Sequence, residues 1–320
     1  MNSTKISKNS HFYSLVNLEL SELFFSLVDY RNNYFTSDNP DKILEFYNGF
    51  DDSCQLIKWM KERPRGVANI HEVEGSKDII VVIPTVDFNG KYAKECRDSI
   101  FKGLYIIFVE SGIDFYFNYA HNCNVGIKKA LEYNPKWVIV SNDDMYKIDD
   151  ISILHHELEA ISNKDYNAIF TKPSKYHSIP CKLSKPMLTR NLLFIMLGKY
   201  RRMQLNLEKK FGILFFLPPK SGFWRFLFGK GDEVTSIAAF GIYSSEFIKK
   251  CLRLYDDVYI NSSEDMDLSL RVYYSHNFRT VEFRIGDYTG SSLGNNSKRR
   301  LRDLAGMAYV NHKLRENILK

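Results

Sequence analysis

The sequence predicts an α/β fold built on a parallel sheet. Three short apolar runs, DIIVVIP (78–84), LYIIFV (104–109) and WVIV (137–140), are continuous rather than alternating. Such runs mark strands covered on both faces. Between and after them apolar residues recur at helical spacing, first Ala120, Cys123, Ile127 and Leu131, then Ile151, Leu154, Leu158 and Ile161. Strand and helix in alternation imply right-handed crossovers. At 320 residues, 44% of them hydrophobic, the chain can bury one large core or two modest ones.

Taken in order, residues 1–77 read as a helical extension. Tyr13, Val16, Leu20, Leu23 and Leu27 form one apolar face, and a second helical pattern runs through Leu56, Ile57 and Met60 between Pro40 and Pro64. Nothing in this extension reads as catalytic, and it is expected to pack on the main domain or on a partner. The character changes at Asp78, where a domain begins that is expected to run to residue 320. Beyond the third strand, SIAAFGIY (236–243) reads as a strand, Ser244 caps a helix through Leu254, and Arg279 to Ile285 alternates as a strand. GSSLGNNSKRR (290–300) reads as a flap with a basic end.

Five cysteines, Cys54, Cys96, Cys123, Cys181 and Cys251, show no CxxC spacing. That pattern argues against a zinc ribbon or a secreted disulfide scaffold and for a reducing, cytoplasmic setting. MNSTKISKNSHFYS lacks the apolar core of a signal peptide, and no uncharged run nears the roughly 18 residues that span a bilayer.

Each predicted strand ends in polar residues: Pro84, Thr85 and Asp87 after the first, Glu110 after the second, Asn142, Asp143 and Asp144 after the third. In open α/β sheets ligands collect outside the carboxyl ends of strands. Clustered carboxylates there are costly unless they hold a cation or act on a proton, although an acidic turn also caps a helix well. Ser262, Ser263, Glu264 and Asp265 have the same two readings, and Asp267 with Arg271 can pair at i,i+4 on a helix.

The order of these segments resembles the family 2 glycosyltransferases of the GT-A fold, over about Asp78 to His312. VVIPTVD resembles the family's opening strand and turn, and Glu110 stands where such enzymes place an acid against the nucleobase. NCNVGIKKA (122–130) resembles the Asn-x-Gly-x-x-x-Ala helix beneath the donor, with Asn124 first. SNDDM resembles the Asp-x-Asp metal motif, with Asn142 in the first place and Asp144 in the last. SEDMDLSLR (263–271) is similar to Glu-Asp-x-Asp-Leu-x-x-Arg, which carries the catalytic base.

The resemblance implies a mixed Rossmann-like sheet flanked by helices and transfer of a sugar from a nucleotide-sugar donor, with inversion, to a hydroxyl acceptor. Pro84, Thr85, Asp87, Glu110, Asn124, Asn142 and Asp143 would then bind the donor. Asp144 would hold a divalent cation, Mn²⁺ or Mg²⁺, with Asp287 of DYTGSS, where many relatives carry a histidine. Asp265 would be the general base and Glu264 its neighbour toward the acceptor. A sugar-phosphate nucleotidyltransferase is the alternative enzyme, though PTVDFNG lacks a glycine-rich basic loop. A non-catalytic, membrane-peripheral binding protein on the same scaffold is the alternative outside enzymes.

Charge is unevenly placed. Residues 181–230 carry eleven Lys or Arg against one acid, Glu208, so a chain of formal net charge +6 is a +10 segment in a −4 remainder. Apolar clusters at Leu192–Leu197 and Phe211–Leu217 alternate with these cations, and Phe223, Trp224, Phe226 and Phe228 follow a Pro-Pro break. The insert reads either as a helical subdomain with a solvated basic face or as a seat on an anionic membrane surface that presents a lipid-linked or glycan acceptor. Nucleic acid is not expected, because no recognition fold accompanies the basic and aromatic residues.

Overall fold

Ile79 to Ile83 are all at most 3% exposed. They form the centre of β2 (Ser76–Thr85), which lies between β3 (Leu104–Glu110) and β4 (Trp137–Ser141). Both neighbours are parallel to it, and Val82 pairs with Ile107 on one side and Val140 on the other. The computed structural model describes residues 40–114, 116–172, 179–215, 223, 226–227, 233–237, 239–288 and 299–318. The apolar face at 13–27 and most of the 290–300 flap therefore lie outside the described residues.

Four more strands complete a seven-stranded sheet of order β1-β3-β2-β4-β9-β6-β10. β9 (Phe240–Ser244) runs antiparallel to both β4 and β6 (Ala168–Phe170), and β10 (Phe278–Thr280) is parallel to β6. β1 (Asn69–Val73) adds antiparallel to the outer side of β3. The result is a mixed α/β architecture compatible with a Rossmann-like fold. Two small ribbons stand apart, β5 (Met145–Lys147) with β11 (Ile285–Asp287) and β7 (Ile179–Lys182) with β8 (Glu233–Ser236).

Helices cover both faces of the sheet. On one face Ala120, Cys123, Ile127 and Ala130 of α4 (Tyr119–Leu131) meet Ile80, Val82, Ile107 and Val109. Gly126 makes that approach possible, since a Cβ there would stand 2.4 Å from Val82 and 2.8 Å from Val109. On the other face Val81 and Ile83 pack with Ala93 of α3 (Lys91–Glu95), with Cys96 and Ile100 of the π-helical turn that follows it, and with Leu154 and Leu158 of α5 (Ile151–Glu159).

A third cluster joins the two ends of the chain. Buried residues of α1 (Pro40–Asn48) and α2 (Ser53–Glu62) pack with Leu207 and Phe211 and with α11 (Leu304–Arg315). Tyr47 donates its hydroxyl to the Arg302 carbonyl at 2.9 Å and accepts from Ala305 N–H at 3.1 Å. The described part of the extension is thus docked on the main body.

Three expectations are corrected. Residues 69–73 and 76–77 belong to the sheet rather than to a helical extension, because Asn69 to Val73 pair residue by residue with β3 and Ser76 opens β2; as an edge strand β1 is too exposed to show a continuous apolar run. Arg279 to Ile285 is not one strand but the end of β10 and the start of β11, which lie in different sheets. SIAAFGIY is also divided, with Ser236 closing β8 and Phe240 opening β9. Ser244 caps α8 (Ser245–Lys250) as expected, accepting from Phe247 N–H at 3.1 Å.

The Lys313 ammonium of α11 lies against Asp256 and against the fully buried Asp267. Asp267 also accepts from Tyr259 Oη and from Arg271 Nε, both at 2.9 Å, the latter being the expected i,i+4 pair. Burial alone would raise the Asp256 carboxyl; Lys313, Val258 N–H and the Tyr309 hydroxyl override it and hold Asp256 below the usual range. Lys313→Met is expected to cost about 3 kcal/mol at pH 7, because it removes the cation that buried Asp267 and half-buried Asp256 share and leaves Asp256 without one. Asp256 is depressed in the folded state, so its share is present above its unfolded pKa and lost as pH falls. Urea unfolding of both proteins at pH 7 and in acid checks this: the difference must shrink in acid.

Candidate functional site

Parallel pairing of β2 with β4 brings their carboxyl ends together, and the first contact there is polar. Thr85 donates its hydroxyl to Asp143 Oδ2 at 2.7 Å. The loop after β4 is pinned at several points: Asn142 N–H bonds the Ala239 carbonyl at 2.8 Å, Ser141 Oγ bonds the Asn142 carbonyl, and the Cys96 thiol meets the Asp143 carbonyl at 3.2 Å. Asp143 is 8% exposed, and burial pushes its carboxyl up to about 6, with Thr85 opposing and the neighbouring Asp144 adding to the rise.

A cleft of about 430 Å³ opens at this rim, lined by Pro84, Thr85, Val86, Phe117, Tyr119, Asn142 and Asp143. It continues past Thr85 and Asp143 to a second lobe beside Asp87, Gly90, Lys91 and Tyr92. Five expected donor-binding residues, Pro84, Thr85, Asp87, Asn142 and Asp143, therefore share one depression.

The next residue, Asp144, is 2% exposed and begins the β5–β11 ribbon. Its carbonyl accepts from Tyr288 N–H at 2.8 Å, and Asp287, 8% exposed, stands opposite Met145. The ladder thus places the backbone of Asp287 one register step from that of Asp144. Gly286 lies opposite Tyr146, and a Cβ there would stand 2.2 Å from the tyrosine ring and displace it. Among the described residues no group of three or more His, Cys, Asp or Glu side chains is arranged to hold a metal ion. Two carboxylates nevertheless suit magnesium or manganese, which fill the rest of their shell with water and phosphate oxygens.

The other half of the expected chemistry begins α9 (Glu264–Ser275). Asn261 and Ser263, on its approach, have φ of 52° and 72°, in the left-handed region that non-glycine residues rarely occupy. Glu264 is buried and Asp265 partly exposed. Asp265 Oδ1 accepts from Met266 N–H at 2.7 Å, and its carbonyl accepts from Ser269 Oγ at 2.6 Å. The charge of Glu264 acts on two buried groups of α4, Tyr119 and Cys123, both already raised by their burial. Asn261, three residues before Glu264, accepts from Tyr119 N–H at 2.7 Å and donates to the Phe117 carbonyl at 3.1 Å, which ties the approach to α9 to two residues that line the cleft.

Two expected donor residues are taken up by other partners. Asn124 clamps the backbone of Tyr255, donating to its carbonyl at 2.7 Å and accepting from its N–H at 3.1 Å. Glu110 accepts from Phe88 N–H at 3.1 Å and pairs with His71 Nε2 at 2.8 Å, and these contacts, Phe88 first, hold its carboxyl low. Glu110 lines a separate shallow depression with Asn69, Ser111 and Gly112. Tyr119, Cys96 and His71 are site neighbours that sequence reasoning missed. Tyr119 and Cys96 carry no signal beyond a helical position, and His71 lies on the edge strand that was read as helix.

No protein-family model matches the chain, and no curated protein matches it.

Between its ordinary value of 3.8 and about 6, Asp143 holds more protons folded than unfolded, so stability falls as pH rises through that window. Asp143→Asn, neutral throughout, is expected to be more stable than wild type by about 2–3 kcal/mol at pH 8. The gain should vanish below pH ~4, where wild-type Asp143 is protonated in both states. Urea unfolding in EDTA at both pH values reads the difference, and a gain of equal size at each pH would refute it.

Proposed function

We propose that the chain is a nucleotide-sugar-dependent glycosyltransferase of the family 2 type, with a GT-A domain, inverting at the transferred carbon and acting in the cytoplasm on a glycan or lipid-linked hydroxyl. The observation that carries this reading is the β5–β11 ladder. It runs the backbone of Asp287 one register step from that of Asp144, just past the carboxyl end of a buried parallel strand and next to a cleft lined by Thr85, Asn142 and Asp143. A mixed sheet whose β2, β3 and β4 loops open on one rim is the architecture such a donor site needs.

Transfer breaks the bond between the sugar and a diphosphate, so charge must be stabilised on the leaving group and a proton removed from the acceptor. Asp144 and Asp287 would hold a divalent cation, which supplies Lewis-acid stabilisation of the diphosphate. Thr85 fixes the Asp143 carboxyl by its 2.7 Å bond, and Asp143 would accept from a donor hydroxyl there. Pro84, Val86, Phe117 and Tyr119 give the cleft its apolar wall and exclude water from the reacting carbon. Asp265, partly exposed at the start of α9, takes the acceptor proton, and Glu264 beside it serves the acceptor side.

Asp144→Ala and Asp265→Ala are each expected to lower transfer or donor hydrolysis by about 10²-fold or more. Only Asp144→Ala should also weaken manganese-dependent nucleotide binding. A thermal-shift panel of nucleoside diphosphates with manganese reads that binding, since a ligand at one hundred times its Kd adds about 2.7 kcal/mol. Transfer retained in both variants would reject the assignment, and a panel in which no nucleoside diphosphate shifts the melting temperature would reject the donor class.

A further inference from the structure

Helix α6 (Leu188–Met196) is built with its charge inside and its apolar residues outside. Its buried residues are Arg190, 2% exposed, and Phe194, 4% exposed. Leu188, Leu192, Ile195 and Met196, at helical spacing along one face, are 74%, 52%, 45% and 82% exposed. A surface helix ordinarily does the reverse.

The inversion is held in place by a buried ion pair. Arg190 forks onto Glu208 of α7 (Lys199–Lys210) with bonds of 2.7 and 2.6 Å, and Gln204 Nε2 donates to Glu208 at 3.0 Å. The guanidinium also lies over the Phe194 ring, 4.1 Å from its centroid. Turning α6 to hide Leu192 and Met196 would pull Arg190 off Glu208 and strand a buried charge. Leu193 packs on Leu227, itself buried, which brings the 66%-exposed Phe226 alongside the helix.

Charge says what covers this face. Glu208 is the only acid among residues 181–230, and it is bound to Arg190, so the other ten cations of the segment face no acid from within it. Lys185 and Arg202, before and after α6, are exposed. A second copy of the chain would bring two such basic segments together across a two-fold axis. An anionic lipid surface accepts the apolar residues among its acyl chains and the cations at its phosphates. At nine residues, about 14 Å, α6 can lie in that interface but not cross it; among the described residues no helix is long and apolar enough to span a membrane.

We propose that the outer face of α6, extended by Phe226, is a docking surface for an anionic lipid bilayer. The inference stands apart from the transferase reading, because it uses none of the cleft residues and its test needs no donor. The full chain is mixed with phosphatidylcholine vesicles with and without phosphatidylglycerol, and cosedimentation is measured. Wild type is expected to bind the anionic vesicles and to be released by salt. Leu192→Asp with Met196→Asp should weaken that binding roughly tenfold or more without changing the melting temperature in the absence of lipid. Lys185→Glu with Arg202→Glu should abolish the preference for anionic over neutral vesicles. Failure of wild type to bind, or equal binding by the aspartate variant, overturns the proposal. A lower melting temperature for that variant without lipid would mean that the chain itself covers the face. A wild-type dimer that the variant dissociates would mean that a second copy does. Either result overturns the proposal as well.

Discussion

The arrangement of the candidate site depends on one constraint, the double parallel pairing of β2. A strand of five consecutive Ile and Val residues, none more than 3% exposed, needs a hydrogen-bonded neighbour on each edge and a helix on each face. Because both neighbours run parallel to it, all three strands deliver their carboxyl ends to the same rim. Thr85 and Asp143 meet there through a single hydrogen bond. A dry location follows from the same pairing, and with it the raised carboxyl of Asp143.

A second layer of organisation comes from the closure of chain ends around α9. Asp267, in the first turn of that helix, is locked by Tyr259, Arg271 and Lys313. From α11, Gly306 approaches so closely that a Cβ would stand 2.4 Å from the Ser262 carbonyl oxygen. These contacts hold the left-handed Asn261 and Ser263, a conformation that surrounding structure must enforce. Glu264 and Asp265 therefore leave a rigid platform rather than a free loop. The N-terminal helices complete it, since Tyr47 bonds the backbone at Arg302 and Ala305.

Much of this was legible in the chain. Continuous apolar runs at 78–84, 104–109 and 137–140 read directly as β2, β3 and β4, because burial on both faces leaves no room for polar alternation. The polar residues at their ends were legible as one rim for the same reason. β1 was not, because an edge strand with one exposed face and only five residues carries too little pattern to separate from helix. Three residues each, β10 and β11 are too short for periodicity to reveal that they belong to different sheets. Asn124 and Glu110 were recognisable as motif residues, but their side chains meet the Tyr255 backbone and the His71 ring, over a hundred and about forty positions away in sequence, respectively.

By itself, then, the sequence determined the α/β class, the parallel core and the concentration of cations around one acid in residues 181–230. Those properties are local or additive: apolar periodicity, strand-end polarity and a count of charges. Tertiary structure alone decided that Asp287 pairs opposite Met145, that Asn261 ties the start of α9 to Phe117 and Tyr119, and that α6 turns Arg190 inward and Leu192 outward. Each of these depends on a contact between residues distant in the sequence, or on the rotation of a helix about its own axis. The sequence shows an apolar cluster at Leu192–Leu197; the ion pair of Arg190 with Glu208 decides that Leu192, Ile195 and Met196 point outward.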